Sequence, residues 1–486
     1  MKLLTVITLL LLISTGNIMP QNFNLQKLYD SYSTYKNNSF TKARFKHKDV
    51  LKNIKELKSK KLFKIKMLGK SLEGREINLI SIGKGKINVL LWSQMHGDEP
   101  TATMALFDLF NFFSADDKFN GFRKELFSKL TLHFIPMLNP DGAEKFKRRN
   151  ALNIDLNRDA IRLQCPESKI LKGIRDSLKP KFGFNLHDQN TRYSAGNSFR
   201  SATISFLAPA FNYEKEINEV RGNTMKLIVK LNEALSNFIP GHIAKYNDDF
   251  EPRAFGDNFI KWGTSSVLIE SGGWKNDAEK QYIRKLNFIA LLAGFNAIIK
   301  ESYKQATIEE YKQIPTNDNL LFDLLLRKLT VKYKNQKYKI DIGINKNQET
   351  TADYKDYYNI GKIEDWGDLS IFYGYKEYEL EGYEIKKSKI YKLNDKKLEE
   401  IDAQELLNKG YGFIELDTNR FADEYTKLPL NIIFKGANPN LNVDYLNFAN
   451  FTIWKNNKLM FNVVNGCIHD VTSDSCKSKN GLIFKP

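Results

Sequence analysis

Residues 88–113, NVLLWSQMHGDEPTATMALFDLFNFF, contain the transition on which the fold of this chain depends. The apolar run 88–93 predicts a buried strand, and 101–113 predicts a helix with Pro100 suited to its first position. Between them stands His96-Gly97-Asp98-Glu99. A strand that ends in such a turn can present an imidazole and a carboxylate to one cation, and zinc accepts this ligand pair.

The flanking sequence predicts an α/β domain. Short apolar or alternating runs separated by turn residues predict strands, and longer segments with helical apolar spacing predict helices. The predicted strands are 63–67, 77–82, 88–93, 130–137, 182–186 and 265–269, and the long predicted helices are 214–238 and 277–299. Strands that alternate with helices are typical of α/β folds.

The pattern changes after about residue 304. The segment 320–329 has helical spacing, and the runs that follow it are short, rich in Tyr, Ile and Phe, and separated by Asn, Asp and Gly. We therefore predict three regions: a signal peptide over 1–21, a catalytic domain over 22–304 and a C-terminal β-rich accessory domain over 305–486. Residues 22–60 are polar and rich in lysine with helical spacing, so they either pack on the catalytic domain or block its site.

Composition limits the classes of function. The formal net charge is +17, but the lysines are spread along the chain without a basic tract, so we expect a solvated surface and no nucleic-acid partner. The apolar stretch 3–13 behind Lys2 predicts a secretory signal, with an uncleaved anchor as the alternative. No later segment has 18 uninterrupted apolar residues, so we expect a secreted or periplasmic protein without stable membrane insertion. Cys467 and Cys476 are spaced to close a small loop, which leaves Cys165 unpaired.

Four features of the first domain are consistent with one hydrolytic centre. His96 and Glu99 offer two metal ligands, and His187, after a predicted strand, offers a third. Glu270 stands at a strand end before Ser271-Gly272-Gly273, where a general base can reach a zinc-activated water. The fourth is a set of basic and amide side chains, Arg148-Arg149 and Asn157-Arg158, suited to an oxyanion or a carboxylate. Each feature alone also has an ordinary structural interpretation.

Taken in order, the motifs carry a family resemblance. The chain reads GKSLEGREI (69–77), HGDE (96–99), NPDG (139–142), RRN (148–150), DLNR (155–158), NLH (185–187) and IESGG (269–273). This order resembles the M14 (carboxypeptidase A-like) zinc carboxypeptidases over roughly residues 60–300. The resemblance implies a mixed, mostly parallel sheet flanked by helices and one Zn²⁺ per chain.

The resemblance also implies roles for individual residues. His96, Glu99 and His187 match the zinc ligands, and Glu270 matches the general base. Arg148 matches the arginine that stabilises the tetrahedral oxyanion. Asn157 and Arg158 match the pair that binds the terminal carboxylate of a peptide or amide substrate, and Tyr246 is a candidate for the substrate-contacting tyrosine, with a plain loop aromatic as the alternative. Arg162 and Arg253 are possible further carboxylate binders, or surface arginines.

Several positions depart from the family pattern. Asp98 replaces the arginine of the digestive enzymes, and it either binds a basic group or repels a carboxylate, or else caps the helix that follows. Asp159-Ala160 and Asp188-Gln189 also differ from the usual residues. These departures leave three hypotheses: a secreted zinc carboxypeptidase, a zinc-dependent amide deacylase acting on N-acyl amino acids or cell-wall peptides, and a non-catalytic binding protein.

Overall fold

The computed structural model describes residues 23–393, 397–417, 423–473 and 479–486. The predicted signal peptide and Cys476 lie outside these residues, and with Cys476 the proposed pairing to Cys467. The helices of the first part are α1 Leu25–Asp30, α2 Tyr32–Tyr35, α3 His47–Lys58, α4 Thr101–Ser114, α5 Asn120–Lys129, α6 Pro140–Lys145, α7 Pro166–Leu178, α8 Glu219–Ser236, α9 Phe255–Lys261, α10 Gln281–Ile299 and α11 Ile308–Gln313.

The strands of the first part are β1 Lys64–Lys70, β2 Glu76–Gly83, β3 Ile87–Ser93, β4 Leu130–Ile135, β5 Phe182–Asp188, β6 Ser194–Ala195, β7 Ile204–Leu207, β8 Ile243–Lys245 and β9 Ser265–Ser271. All except β6 form one sheet in the order β1-β2-β4-β3-β5-β9-β7-β8. The central neighbours β4, β3, β5 and β9 are parallel, whereas β1 and β2 at one edge and the β9–β7 pair are antiparallel. The predicted mixed α/β fold is confirmed.

The alternation of strand β3 explains the layers on either side of the sheet. Val89 and Leu91 point into one core with helices α4, α8 and α10, while Leu90 and Trp92 point into the other with α7 and α9. All four side chains are fully buried. A central parallel strand covered on both faces is expected to be continuously apolar, as this one is. Helix α10 is long and apolar enough to cross a membrane by length and composition, but it is mostly buried in the first core.

The N-terminal segment packs against a buried ion pair between helices α4 and α10. The Arg284 guanidinium donates to the Asp108 carboxylate and to the carbonyls of Asn37 and Phe40, and Asp108 also accepts from Tyr32. Both charged side chains are fully buried. The segment 24–40 is therefore anchored to this domain, and its side chains Leu28, Tyr32, Tyr35 and Phe40 are part of the core.

The C-terminal part is β-rich, as predicted. Its elements are β10 Asn317–Asp318, β11 Leu321–Phe322, β12 Leu324–Tyr333, β13 Gln336–Thr350, β14 Tyr357–Gly367, β15 Tyr373–Gly374, β16 Glu377–Glu379, β17 Glu384–Lys387, β18 Lys389–Lys392, α12 Ala403–Asn408, β19 Tyr411–Leu416, β20 Tyr425–Thr426, β21 Asn431–Phe434, β22 Phe451–Lys455, β23 Lys458–Val464, β24 Cys467–Asp470 and β25 Gly481–Phe484. The two larger sheets run β14-β13-β12-β17-β22-β23-β24, with β16 beside β12, and β18-β19-β21-β25-β20.

The helix predicted over 320–329 is wrong. The segment forms β11 and the first half of β12, and Leu324, Leu325 and Leu326 are all buried. A short leucine run buried on both faces of a sheet has no alternation, so its pattern cannot be told from that of a buried helix.

The two parts contact each other beside the strands that carry the site candidates. Strand β10 pairs with β6, and Asn317 donates to Gln189, two residues after His187. The Tyr375 hydroxyl donates to the Thr191 carbonyl at 2.5 Å. The loop after β5 is therefore supported by the β-rich part.

Candidate active site

The His-x-x-Glu turn leaves strand β3 at the edge where the parallel strands end. Gly97 lies against Gly142, and a Cβ at Gly97 would stand 2.0 Å from the Gly142 carbonyl carbon, so only glycine fits there. This turn brings Nδ1 of His96 within 2.7 Å of Oε1 of Glu99. The N-cap of α4 is Pro100, without a side-chain cap, so the interpretation of Asp98 as the helix cap is wrong.

His187 reaches the same point from strand β5. Its Nδ1 lies 2.6 Å from Oε2 of Glu99 and 3.1 Å from Nδ1 of His96. The ligand atoms of the three residues all lie within 4.8 Å of one another, and the side chains are 2–7 % exposed. Two imidazoles and a carboxylate that converge in this way match the donor set of a catalytic zinc site.

Asp155 contacts His96 on the side of the ring that faces away from Glu99. No role for Asp155 was predicted from the sequence. One carboxylate oxygen lies 3.1 Å from Nε2 of His96, and the other accepts from Nε of Arg148 at 3.0 Å. A proton on Nε2 then donates to Asp155 and leaves Nδ1 free to bind a metal, which is the usual function of a carboxylate behind a ligating histidine. Burial raises the pKa of Asp155, but His96, Arg148 and Arg158 together outweigh burial and hold the pKa well below its usual value. The DLNR motif was the available signal.

Arg148 lies directly at the ligand cluster. Its NH1 is 3.1 Å from Nδ1 of His96 and 3.2 Å from Oε1 of Glu99. The side chain is 42 % exposed, so it can be reached from the cleft. A guanidinium held between the candidate metal ligands and Asp155 is positioned to donate to a charge that develops beside them.

Glu270 lies opposite His187 on the neighbouring strand, since the two residues are register partners in the β5–β9 pair. Burial, followed by the Glu99 and Asp188 carboxylates, raises the pKa of Glu270 well above its usual value. Arg148 and Lys280 act in the opposite direction. A buried carboxyl group with a raised pKa beside a metal-ligand cluster is a candidate general base.

The departures from the family pattern add further charge around the cluster. Burial and then Glu99 raise the pKa of Asp98 to about 6, and burial raises the pKa of Asp188 to about 7.

Lys280, which sequence reasoning missed, also lies near this cluster: its ammonium donates to the carbonyls of Ser271 and Gly272, directly after Glu270. No sequence signal marks Lys280, because it lies ten residues beyond Glu270 at the start of α10.

The three predicted substrate-binding residues lie around this centre in different surroundings. Asn157 accepts from the Phe255 amide at 2.9 Å, which fixes it against α9. Arg158 is exposed and pairs with Glu251. Tyr246 is half-buried, its ring meets Tyr193 edge to face, and burial followed by Glu270 raises its pKa.

Arg253 and three further histidines have structural contacts. Arg253 pairs with Glu251 at the surface. His47 contacts the Glu76 carbonyl, His133 contacts Ser81, and His242 contacts Ser201. Among the described residues, the only group of three or more potential metal-binding side chains is His96, Glu99 and His187.

Comparison with known proteins gives a family for this region. Residues 48–208 match the family model Peptidase_M14, described as zinc carboxypeptidase. The range contains the three candidate ligands, Arg148, Asn157 and Arg158, whereas Tyr246 and Glu270 lie beyond it.

Individual relatives cover a smaller share of the chain. A "Probable carboxypeptidase 2" from Trichophyton verrucosum is 29 % identical over 194 residues, which cover 38 % of this chain and 34 % of that protein. "Carboxypeptidase SOL1" from Arabidopsis thaliana is 30 % identical over 155 residues, covering 28 % of this chain and 32 % of that protein. The chain thus spans about a third of the length of these curated relatives.

Among solved structures, a metallo-carboxypeptidase from Burkholderia cenocepacia aligns with a TM-score of 0.44 at 16 % identity, covering 53 % of this chain and 70 % of that one. Residues 48–208 of this chain are therefore similar to the M14 zinc carboxypeptidase family.

Proposed function

We propose that this protein is a zinc-dependent carboxypeptidase that removes the C-terminal residue of a peptide. The observation that carries the proposal is the buried convergence of His96, Glu99 and His187, with Glu270 on the adjacent strand. A structural zinc site is usually closed by four protein ligands, whereas a catalytic site keeps a position open for water or substrate. Three protein ligands beside a candidate base fit the catalytic kind.

The residues fit a zinc ion in their chemistry as well as their number. Nδ1 of each histidine faces the Glu99 carboxylate, and Asp155 fixes the protonated nitrogen of His96 on the far side. When bound, zinc supplies a Lewis acid that lowers the pKa of water toward about 7 and polarises a carbonyl.

Glu270 and Arg148 have separate roles in amide hydrolysis: Glu270 transfers a proton, and Arg148 stabilises the oxyanion. Glu270 accepts a proton from the attacking water at its carboxylate and passes that proton to the nitrogen of the leaving amine. Arg148 donates from NH1 to the oxyanion that forms on the scissile carbonyl. Its attachment to Asp155 holds the guanidinium in place for this contact.

Specificity for the C-terminal end of a peptide substrate would come from Asn157 and Arg158, in the turn that follows Asp155. Arg158 would bind the terminal carboxylate of the substrate through charge-assisted hydrogen bonds, with Asn157 beside it and Tyr246 covering the bound residue. The apolar start of the chain supports export, so peptides outside the cytoplasm are the proposed substrates.

The test uses the conservative variant of the proposed base. Purified protein is expected to hold one zinc per chain and to lose peptide hydrolysis when a chelator removes the metal. Glu270→Gln should keep the zinc and reduce kcat by at least about 10²-fold, since it removes the proton acceptor. Hydrolysis by Glu270→Gln at the wild-type rate would refute the proposal.

A second candidate is a zinc-dependent amide deacylase. One observation favours it: Arg158 already has a carboxylate partner in Glu251. Arg158→Gln separates the two functions, because a carboxypeptidase should lose activity on free C-termini far more than on C-terminal amides. Equal losses on both substrates would favour the deacylase.

A further inference from the structure

A carboxylate of the chain itself occupies the arginine proposed for substrate binding. Oε2 of Glu251 lies 3.1 Å from Nε of Arg158. The same carboxylate accepts three hydrogen bonds from Arg253, two from its guanidinium at 2.9 and 2.8 Å and one from its backbone amide at 3.1 Å. Glu251 is therefore placed between two guanidinium groups, as a carboxylate from solution would be.

Three contacts that hold the backbone around Glu251 do not use its side chain. The Glu251 amide donates to the Asp257 carboxylate at 3.0 Å, and its carbonyl accepts from Ala254 at 2.8 Å. The Ala160 amide donates to the Arg253 carbonyl at 3.1 Å, which ties this loop to the segment after Arg158. The Glu251 carboxylate can therefore move away from Arg158 while these backbone contacts remain.

The pair is exposed enough to exchange partners. The side chain of Arg158 is 37 % exposed and that of Glu251 is 28 % exposed. Ion pairs in contact with solvent are weak, because water and salt screen the charges. An incoming carboxylate can therefore compete with the Glu251 carboxylate for the Arg158 guanidinium.

We propose that Glu251 is a specificity-determining residue: it occupies Arg158 in the free protein and gives way to the terminal carboxylate of the substrate. This proposal rests on the carboxypeptidase function proposed above. It implies that Glu251 weakens the binding of every free C-terminus by competing for the same guanidinium. It also implies that substrates without a terminal carboxylate bind independently of Glu251.

The test measures binding to the zinc-loaded full chain by calorimetry, so it does not depend on turnover. The probes are N-acetyl-phenylalanine, which has a free carboxylate, and its C-terminal amide. Glu251→Gln keeps the side-chain shape and removes the charge. We expect it to bind the carboxylate probe about two- to fivefold more tightly, the range given by the loss of one exposed ion pair, with unchanged amide binding.

A matched control lies in the same loop. Asp249 is an exposed carboxylate that pairs with Lys215 at 2.9 Å, so Asp249→Asn removes one charge without touching Arg158. Asp249→Asn should leave the affinity for both probes unchanged. Unchanged or weaker carboxylate binding by Glu251→Gln, or an equal gain by Asp249→Asn, would overturn the proposal. Tighter binding without any peptide hydrolysis by wild type would refute the proposed function, and with it the role of Glu251 in substrate specificity, while showing that Glu251 competes with a free carboxylate for Arg158.

Discussion

The Asp155 carboxylate contacts both a candidate metal ligand, His96, and the proposed oxyanion donor, Arg148, and substitutions of Asp155 can separate these two contacts. One oxygen faces Nε2 of His96 at 3.1 Å, and the other accepts from Arg148 at 3.0 Å. Asp155→Ala removes both contacts, whereas Asp155→Asn keeps a carbonyl oxygen that can accept from His96 but loses the charge that holds Arg148. The two variants should therefore differ in zinc binding more than in turnover.

The magnitudes follow from these contacts. Loss of the partner behind a metal-ligating histidine costs about 10- to 100-fold in metal affinity, or about 1.4–2.7 kcal/mol. Loss of an oriented oxyanion donor costs about 10²–10³ in kcat. We expect Asp155→Ala to weaken zinc binding by about 10- to 100-fold and to lose turnover as well. Asp155→Asn should bind zinc within about tenfold of wild type and still lose about 10² in kcat.

Zinc affinity is measured by competition with a chromophoric chelator, and kcat at saturating zinc and peptide. Asp176→Asn is the control, because Asp176 is an exposed carboxylate that pairs with Lys172 and Arg175 away from the site. If Asp155→Ala bound zinc as tightly as wild type, with kcat within twofold, the assigned role of Asp155 would be refuted.

Three further substitutions test other parts of the structure. Arg284→Met should lower the free energy of unfolding in urea by about 3–5 kcal/mol, because it leaves the fully buried Asp108 without its partner. Burial raises the pKa of Asp257 to about 7, against about 4 in an unfolded chain, so its ionisation opposes folding. The unfolding free energy of wild type should therefore fall, relative to Asp257→Asn, as pH rises from about 4 to about 7, by at most about 4 kcal/mol. Lys280→Met should lower kcat by about tenfold with zinc content unchanged, because it removes a cation that donates to the backbone directly after Glu270 and lowers the pKa of that carboxyl group.

Each of these expectations has an outcome that contradicts it. Unfolding of Arg284→Met at the wild-type urea midpoint would mean that the pair contributes nothing to the docking of the N-terminal segment. A constant difference between Asp257→Asn and wild type across that pH window would show that Asp257 does not titrate as described. Lys275→Met, at an exposed position of the same loop, is the control for Lys280→Met, and equal kcat values for the two variants would refute the role of Lys280.

The sequence predicted the centre of the site because its signals are local. His96, His187 and Glu270 each lie at the carboxyl end of an apolar strand, and adjacent parallel strands end at the same edge of a sheet. Strands β5 and β9 each end two residues later than predicted, so that His187 and Glu270 lie inside them. The meeting of these side chains at one point follows from the adjacent, parallel arrangement of β3, β5 and β9.

The remaining features depend on contacts between distant segments. Arg158 and Glu251 lie in two different loops, and no local sequence pattern predicts that they pair. The Lys280 contact to the backbone after Glu270 depends on how the loop before α10 turns back. The leucine run 324–326 was misjudged because full burial removes the alternation on which strand prediction depends.

The most direct test of the central claim is the identity of the products. The zinc-loaded protein is incubated with a synthetic peptide that has a free C-terminus, and the products are identified by mass spectrometry. We predict release of single residues from the C-terminus, no internal cleavage, and no release by Glu270→Gln. Internal cleavage, or an intact peptide in the presence of wild-type protein with one zinc per chain, would contradict the assignment.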